Sequence, residues 1–295
     1  MMHKRKIDII PYFFILPALL IYTVIVIYPV GRGFWLSLLD WDLLGPKRFV
    51  GFANYREMFF GDDIFIEAFL HNLIYVCLVV TIPILVASAI AVIVDGLSQR
   101  RTADVLRGLY FIPSILSVIV IGMIWGWVYN PYIGVLNGAV SLLTGKNPHI
   151  ALLGDKDLAL YAIIVTRCWM AVGFCMVVIL AGLRAIPEEY FEAARIDGSS
   201  AWHTFLRITI PLLRPAFAVL LLVNTVDAFK EFALIFKMTK GGPYHSTELI
   251  STYMYDKGFV SWRVGYASAM GVVLFLLILA ASLGLRRLTE RFEDA

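Results

Sequence analysis

Long apolar stretches without charge are the feature that most limits what this chain can fold into. Residues 9–30, 73–94 and 264–285 contain no Asp, Glu, Lys or Arg. Each is long enough for one helical crossing of a bilayer, which takes about 20 apolar residues. Only 16% of the residues are charged and 60% are hydrophobic, which excludes a soluble enzyme and a disordered chain. The sequence therefore predicts an integral membrane protein.

Three further spans complete the prediction. The uncharged run of residues 108–145 is too long for one crossing, and the pair Asn130-Pro131 interrupts it, so we expect a span at 108–129. Two more spans contain charged residues: residues 158–183 include Arg167, and residues 208–236 include Asp227, Lys230 and Glu231. These lengths suit helices and not barrel strands. We predict an all-α integral membrane protein, in which residues 1–295 form one domain of six transmembrane helices.

The distribution of Lys and Arg predicts the orientation. Positive residues are enriched in the cytoplasmic loops of membrane proteins. The two termini and the loops after the second and fourth spans are short and rich in bases, whereas the other loops are longer and their bases more dispersed. We therefore expect both termini in the cytoplasm. The bases that support this orientation are Lys4, Arg5, Lys6, Arg100, Arg101, Arg107, Arg184, Arg195, Arg207, Arg214, Arg286, Arg287 and Arg291.

The loop between the fourth and fifth spans, residues 185–211, predicts a helix–turn–helix elbow. Pro187 and the acidic residues after it favour the start of a helix, and Gly198 permits a left-handed turn. Ser199 or Ser200 can then cap a second helix. Such an elbow could insert into a groove of another protein, and the alternative is an ordinary polar connector.

The spacing within this loop distinguishes the two interpretations. Glu192-Ala193-Ala194, Gly198, Ile208 and Ile210-Pro211 resemble the EAA loop of ABC-importer permeases, with Ile210 in place of the family's Leu. Other fragments occur in the family's order and spacing. They are Phe14-Ile15-Leu16-Pro17, Tyr28-Pro29, Gly51-Phe52-Ala53-Asn54-Tyr55, Phe111-Ile112-Pro113, Gly134-Val135-Leu136-Asn137, and Gly241-Gly242-Pro243 with Thr247-Glu248-Leu249. The chain is similar to the carbohydrate-type permeases for maltose, other oligosaccharides and glycerol phosphate.

This resemblance implies a type I permease fold and the subunits of a larger importer in a bacterial or archaeal inner membrane. The expected partners are a homologous second permease, in a heterodimer, two ATPase subunits and an extracytoplasmic solute-binding protein. The implied cargo is a sugar, an oligosaccharide or a related polyol. The implied ATPase-coupling residues are Glu188, Glu192, Ala193, Ala194, Asp197 and Gly198.

The chain has no phosphate-binding loop of the G-x-x-x-x-G-K-[ST] type. We therefore expect ATP and Mg to bind the ATPase subunits. We expect no catalytic residue, metal site or cofactor in this chain, and the net charge of +3 gives no sign of nucleic-acid binding.

Polar residues inside the predicted fifth span suggest a substrate pathway. Asn224, Asp227, Lys230 and Glu231 would share one face of a helix, and ionisable groups should avoid lipid by facing the bundle interior or a wet cavity. The alternative is a self-neutralising pair of Lys230 with Asp227.

Arg167 and Trp169 of the fourth span are further candidates for the pathway. Arg167 could pair with Asp227 or Glu231, or bind an anionic sugar, and Trp169 could stack on a sugar or pack in the core. An alternative function is a self-contained secondary transporter in which these intramembrane charges relay protons or sodium. The coupling elbow and the lack of an internal repeat argue against it.

Overall fold

The computed structural model of the chain describes residues 10–96, 99–146 and 149–293. The predicted topology-setting bases Lys4, Arg5 and Lys6 lie outside these ranges, and so does residue 9 of the first predicted span. Almost all the described secondary structure is helical, which confirms the predicted class.

Six apolar crossings are compatible with the helices. Four helices are long and apolar enough to cross a bilayer, and two pairs of helices joined by a bend each qualify as a single broken span. The six-span prediction therefore agrees with the structure. The four continuous spans are Phe14–Leu36, Asp63–Asp95, Ala159–Ala185 and Val264–Thr289, and the bent pairs are Arg101–Ile115 with Val118–Val128 and Ala201–Leu212 with Arg214–Phe229.

The chain divides into two compact units, of which the first comprises Met1–Gly61 and Met254–Val273. A short hairpin and several helices form it, and the last helix, α15, continues into the second unit. Its elements are α1 (Ile10–Tyr22), a π-helical turn (Thr23–Ile27), α2 (Tyr28–Leu36), β1 (Leu39–Asp40), β2 (Arg48–Phe49), α3 (Ala53–Phe60), a second π turn (Asp256–Val260) and the start of α15 (Val264–Glu293).

The second unit comprises Asp62–Tyr253 and Leu274–Ala295. It contains most of the helices. Its elements are α4 (Asp63–Asp95), α5 (Arg100–Ile115), α6 (Val118–Val128), α7 (Val135–Thr144), a 3-10 turn (Leu152–Gly154), α8 (Ala159–Ala185), α9 (Glu188–Ile196), α10 (Ala201–Thr204), a π turn (Phe205–Thr209), α11 (Ile210–Leu212), α12 (Arg214–Phe229), α13 (Ala233–Met238) and α14 (Ile250–Tyr255), which ends in the first unit.

Helix α8 is the centre of the second unit. Its most apolar stretch is 61% buried within the chain, and it packs against α4, α5 and α12. Where α5 crosses α8, a side chain on Gly173 would clash with the backbone oxygen of Tyr110. The Ser114 hydroxyl of α5 donates a hydrogen bond to the Met170 carbonyl at 2.8 Å. Close backbone contact between small residues is the usual way in which membrane helices associate.

The predicted span at 108–129 is not one straight helix. The chain is helical to Ile115, turns by 101° and resumes as α6 at Val118. Leu116 and Ser117 adopt extended or irregular backbone angles. The apolar composition of this region therefore does not predict the bend, because composition carries no information on the direction of a helix.

The predicted span at 208–236 also needs correction. The chain bends by 62° between α11 and α12, and α12 ends at Phe229. A separate short helix, α13, follows at Ala233. Lys230 and Glu231 thus lie in a break between two helices and not within one.

In the first unit, the side chain of Asn54 stabilises the β1–β2 hairpin. Its amide donates hydrogen bonds to the carbonyls of Ser37 and Leu39, at 2.8 and 2.9 Å. Glu57, one turn further along α3, receives two hydrogen bonds of 2.7 Å from the Arg263 guanidinium. These bonds with Glu57 raise the pKa of Arg263. These hydrogen bonds give a structural role to Asn54 of the fragment Gly51-Phe52-Ala53-Asn54-Tyr55.

The α5–α8 crossing provides a stability test. We expect Gly173→Ala to lower the melting temperature of the detergent-purified chain, because overpacking costs about 1–3 kcal/mol. Gly126→Ala in α6 is the matched control, since a Cβ there meets nothing within 4 Å and alanine favours a helix by about 1 kcal/mol. Equal melting temperatures for the two variants would contradict the close crossing.

Candidate functional site

The loop of residues 185–211 forms the predicted helix–turn–helix elbow. Helix α9 follows Pro187 and carries Glu188 and Glu189 in its first turn. Gly198 then adopts a left-handed conformation with φ of +71°. Its N–H donates to the Arg195 carbonyl at 3.1 Å. The Ser200 hydroxyl accepts a hydrogen bond from the His203 N–H at 3.3 Å and begins α10. Of the two predicted caps, the structure selects Ser200.

The elbow exposes apolar side chains. Ile196 is 86% exposed and Trp202 68% exposed, and they lie on either side of the Gly198 turn. Of the predicted coupling residues, Ala194 is buried and the rest are exposed; the exposed ones are Glu188, Glu192, Ala193, Asp197 and Gly198. Aromatic and aliphatic side chains left in water at the tip of a polar loop favour contact with another protein.

A buried ion pair joins the fourth and fifth predicted spans. The Arg167 guanidinium of α8 lies 3.3 Å, Nε to Oε2, from the carboxylate of Glu231, and both side chains are largely buried. Of the alternatives for Arg167, the structure contains the pair with Glu231, and among the described residues it shows none with Asp227. The charge of Arg167 is therefore neutralised within the chain.

Glu231 also organises the break between α12 and α13. Its second carboxylate oxygen accepts a hydrogen bond from the Leu234 N–H at 3.0 Å, so it caps α13. Its backbone carbonyl accepts a hydrogen bond from the Ser251 hydroxyl of α14. The buried Tyr75 hydroxyl of α4 lies close to Glu231 without a hydrogen bond of good geometry. Four segments of the second unit, α4, α8, α13 and α14, thus meet around Glu231.

The four polar residues of the predicted stripe do not share one environment. Asn224 is buried and donates a hydrogen bond to the Cys175 sulfur at 3.3 Å, and Glu231 is buried in the ion pair. Asp227 and Lys230 are exposed, Asp227 in line with Val219 and Val223 along α12 and Lys230 just after the end of that helix. The proposed pairing of Lys230 with Asp227 is absent from the part of the chain that the structure describes.

Trp169 lies on the exposed side of α8. Its ring meets that of Trp125 edge to face, with centroids 5.5 Å apart, and 43% of the residue is accessible. Val165 and Tyr161 extend the same exposed face by one and two turns. Trp169 therefore packs against one aromatic neighbour and still presents surface outside the chain.

Sequence reasoning matched the segment Gly241–Leu249 to the family but missed its buried carboxylate. Glu248 is buried, accepts a hydrogen bond from the Thr252 hydroxyl and lies 3.5 Å from the His245 ring. A Cβ on Gly241, where φ is +86°, would clash with this carboxylate. Gly241 is visible in the sequence, but only the fold shows that the buried Glu248 carboxylate leaves no room for a side chain at this position.

The described residues contain no cluster of three His, Cys, Asp or Glu side chains that could hold a metal ion. The three cysteines are free thiols, and Cys168 and Cys175 are buried in α8. The polar chemistry of the second unit is therefore that of ion pairs and hydrogen bonds.

The chain is similar in sequence to known membrane proteins. Residues 84–294 match the family described as "Binding-protein-dependent transport system inner membrane component". The chain is 31% identical over 284 residues to "Probable ABC transporter permease protein YurN" of Bacillus subtilis, covering 96% of each protein. It is 33% identical over 270 residues to "Trehalose/maltose transport system permease protein MalF" of Thermococcus litoralis, covering 91% of this chain and 90% of that one.

A solved structure shares the fold. A chain in the crystal structure of a bacterial alginate ABC transporter, in complex with an alginate pentasaccharide-bound periplasmic protein, superimposes with a TM-score of 0.83. The two chains are 22% identical, and the match covers 96% of this chain and 95% of that one. This likeness shows the fold, which is that of a type I importer permease.

The ion pair between α8 and the helix break provides a second test. Arg167→Met or Glu231→Gln alone leaves a buried charge or its partner unpaired, and we expect each to destabilise the chain by about 3–5 kcal/mol. The double variant removes both charges and should recover much of this loss. Thermal unfolding in detergent measures the three variants against the wild type.

Arg184→Gln is the control, because the Arg184–Asp95 pair is exposed and spans 3.8 Å. A surface pair contributes at most about 1 kcal/mol. Additive losses in the double variant, or equal losses in Arg184→Gln and Arg167→Met, would show that the buried pair does not hold the break.

Proposed function

Since the chain belongs to the family of inner-membrane components of binding-protein-dependent transport systems, we propose that it is the permease subunit of an ATP-driven importer of sugars. The members of this family are transport components and not enzymes. The single observation that carries the proposal is the match of residues 84–294, which includes the elbow and both broken spans.

The named relatives support the cargo class. The protein of Thermococcus litoralis is named for trehalose and maltose, and the structural neighbour is a transporter of alginate. A self-contained secondary transporter, the alternative raised by the intramembrane charges, does not fit a family whose description includes a binding protein. The ion pair of Arg167 with Glu231 also removes two of the charges that such a relay would need.

We infer that the elbow couples this chain to an ATPase subunit. Glu188, Glu192, Ala193, Ala194, Asp197 and Gly198 form its tip, and exposed Ile196 and Trp202 flank the turn. The direct passage from α10 through α11 to α12 supports a mechanical role, because movement of the elbow would be passed to the fifth span. ATP and Mg would bind the ATPase subunits, and two such subunits are expected.

The substrate pathway is proposed on the exposed side of α8 and α12. Asp227 and Lys230 offer an acceptor and a donor there, and Trp169 offers an aromatic face. These groups suit the hydroxyls and the ring faces of a sugar. Arg167, Glu231 and Asn224 are interpreted as the residues that position these helices. Because Arg167 is already neutralised, a neutral oligosaccharide is the favoured cargo.

A second permease subunit is supported by the uncovered apolar surface of the chain. The apolar window of Phe14–Leu36 is 0% buried within this chain, which leaves it free to contact lipid and a second subunit. Importers of this kind translocate substrate between two permeases, and we propose a heterodimer with a homologous partner in the inner membrane.

The orientation completes the proposal. We propose that both termini and the elbow are cytoplasmic, so that the outer loops, especially residues 32–71 and 240–263, face the solute-binding protein outside. The exposed aromatic residues Phe52, Phe60 and Phe259 of the first unit support an interface on those segments, since aromatic side chains are enriched in protein contacts.

The coupling proposal predicts that a substitution in the elbow lowers stimulated ATP hydrolysis without preventing assembly of the complex. Gly198→Val introduces a β-branched residue at φ of +71° and should distort the elbow, since L residues at positive φ are strained by about 1–3 kcal/mol. In the complete transporter, ATP hydrolysis stimulated by loaded binding protein should fall at least fivefold, while the assembled complex is retained. Hydrolysis in proteoliposomes is the measurement.

Gly145→Val is the matched control for this experiment. Gly145 also has positive φ, +67°, and open space around its Cα, but it ends α7 far from the elbow in sequence. Its stimulated hydrolysis should match the wild type. An equal effect of the two substitutions, or none from Gly198→Val, would refute the assignment of the elbow to coupling.

The pathway proposal is tested by uptake. Lys230→Met and Asp227→Asn should each raise the apparent KM for the transported sugar about five- to tenfold, the loss of one hydrogen bond to a substrate. Lys146→Met, which removes an exposed lysine outside the spans, should leave uptake unchanged. Unchanged KM in both α12-side variants would remove these residues from the pathway.

A further inference from the structure

The loop of residues 239–248, which follows α13, holds three residues in an unusual backbone conformation. Lys240, Tyr244 and His245 have φ of +53°, +50° and +64°, in the left-handed region that residues other than glycine seldom adopt. Such conformations are strained and persist only where the surrounding structure maintains them, commonly at functional sites. Three of them in one short loop indicate that its shape serves a function. We call this segment the 239–248 loop.

Buried hydrogen bonds close the 239–248 loop on itself. Thr247 is 0% exposed, and its hydroxyl donates to the Gly242 carbonyl at 2.8 Å and lies 2.7 Å from the Thr239 hydroxyl. The Ser246 N–H donates to the Pro243 carbonyl at 2.9 Å. These contacts fix the backbone on both sides of residue 244.

Glu248 fixes the end of the loop to the helices of the second unit. Its buried carboxylate accepts a hydrogen bond from the Thr252 hydroxyl and lies so close to Gly241 that a Cβ there would overlap it. Its backbone carbonyl lies 3.3 Å from the Nδ1 atom of His71 in α4. A carboxylate is costly to bury unless its oxygens are paired. The position of Glu248 is therefore closely defined, and so is that of Gly241 against it.

The most exposed residue of the loop is Tyr244. It is 90% exposed, and its ring and hydroxyl have no partner among the residues that the structure describes. Tyrosine is enriched among the residues that dominate the energy of protein interfaces. On a fixed backbone it loses only the freedom of two side-chain torsions when it binds, so little contact energy is spent on ordering. The loop therefore has the properties of a preformed contact site.

The side of the membrane on which the loop lies follows from that of the elbow. Between the elbow and the loop lie only the broken fifth span, Ala201–Leu212 with Arg214–Phe229, and the short helix α13. A single crossing puts its two ends on opposite sides, so a cytoplasmic elbow places the loop outside. The family of the chain is described as dependent on a binding protein, which approaches the permease from that side.

We propose that Tyr244 is a contact residue for the solute-binding protein and that Gly241 and Glu248 are positioning residues for it. The ring packs in an apolar pocket of the binding protein, and the hydroxyl forms a hydrogen bond at the edge of that pocket. The inference rests on the proposed function, since it needs an importer with a binding protein.

The competing explanation is a tyrosine that anchors the end of the span among lipid headgroups. The strained and fixed backbone favours a protein partner, because a headgroup anchor needs only an amphipathic ring.

The complete transporter in nanodiscs tests the contact, with ATP hydrolysis measured against the concentration of sugar-loaded binding protein. Tyr244→Ala should raise the concentration that gives half-maximal stimulation about tenfold, the scale of an interface hot spot. The basal rate and the maximal rate should stay at the wild-type values, because the variant weakens docking alone. Tyr244→Phe should keep most of the affinity, since it retains the ring.

Tyr132→Ala is the matched control. Tyr132 is also a strongly exposed tyrosine, in the loop after the third predicted span and hence on the same side, and its φ is not positive. Its half-saturating concentration should equal that of the wild type.

Gly241→Ala tests the positioning role, because its Cβ would displace the Glu248 carboxylate and leave Tyr244 in the sequence. We expect a higher half-saturating concentration, and the double variant with Tyr244→Ala should show no further rise, since the contact is already lost. Thr247→Val, which removes a buried hydroxyl and keeps the shape of the side chain, is the milder variant and should act in the same direction. Melting temperatures show that each variant is folded.

The outcomes separate this inference from the proposed function. An unchanged half-saturating concentration for Tyr244→Ala, in a transporter that the binding protein stimulates normally, would overturn the contact and leave the importer standing. No stimulation of the wild type by any loaded binding protein would contradict both. Equal effects of Tyr132→Ala and Tyr244→Ala would deny the loop a special part. A lower melting temperature of Tyr244→Ala with unchanged response to the binding protein would identify a headgroup anchor.

Discussion

The contact between Arg167 and Glu231 is the interaction on which the second unit depends. A charge inside a membrane protein must be paired or hydrated, and a break in a helix must satisfy the backbone groups that it frees. Glu231 meets both demands, since one carboxylate oxygen pairs with α8 and the other caps α13. Without this residue, the chain would place an unpaired guanidinium and an uncapped helix in the same apolar region.

Because of this arrangement, the polar residues of the predicted fifth span do not form one stripe. A regular helix would put Asn224, Asp227, Lys230 and Glu231 on one face, which is why the sequence suggested a single lining stripe. Within α12, Asn224 is buried and Asp227 exposed, and the end of α12 at Phe229 leaves Lys230 and Glu231 outside the helix. Asn224 and Glu231 face the packed interior, and Asp227 and Lys230 remain on the exposed side. Two of the groups hold the helices, and the other two are exposed.

Much of the fold was predictable because its signals are local. Three uncharged runs predict three of the four continuous spans, and Pro187, Gly198 and Ser199 or Ser200 predict the elbow, since capping chemistry depends on neighbouring residues alone. The bends at Leu116 and at Leu213, and the break at Lys230, were not predictable. The break at Lys230 is held by the contact of Ser251 with Glu231, whose partners are distant in sequence, and Tyr110, just before the bend at Leu116, lies against the equally distant Gly173. Glu248 was missed for the same reason.

The elbow, the uncovered first span and the family of the chain fit a subunit of a larger transporter. We propose that its movements are driven by ATP hydrolysis in a partner subunit. The most direct measurement is ATP hydrolysis by the complex purified with its candidate permease, ATPases and binding protein, with and without bound sugar. The account predicts a stable complex whose hydrolysis rises when loaded binding protein is added. Failure to associate, or hydrolysis that ignores the loaded binding protein, would contradict it.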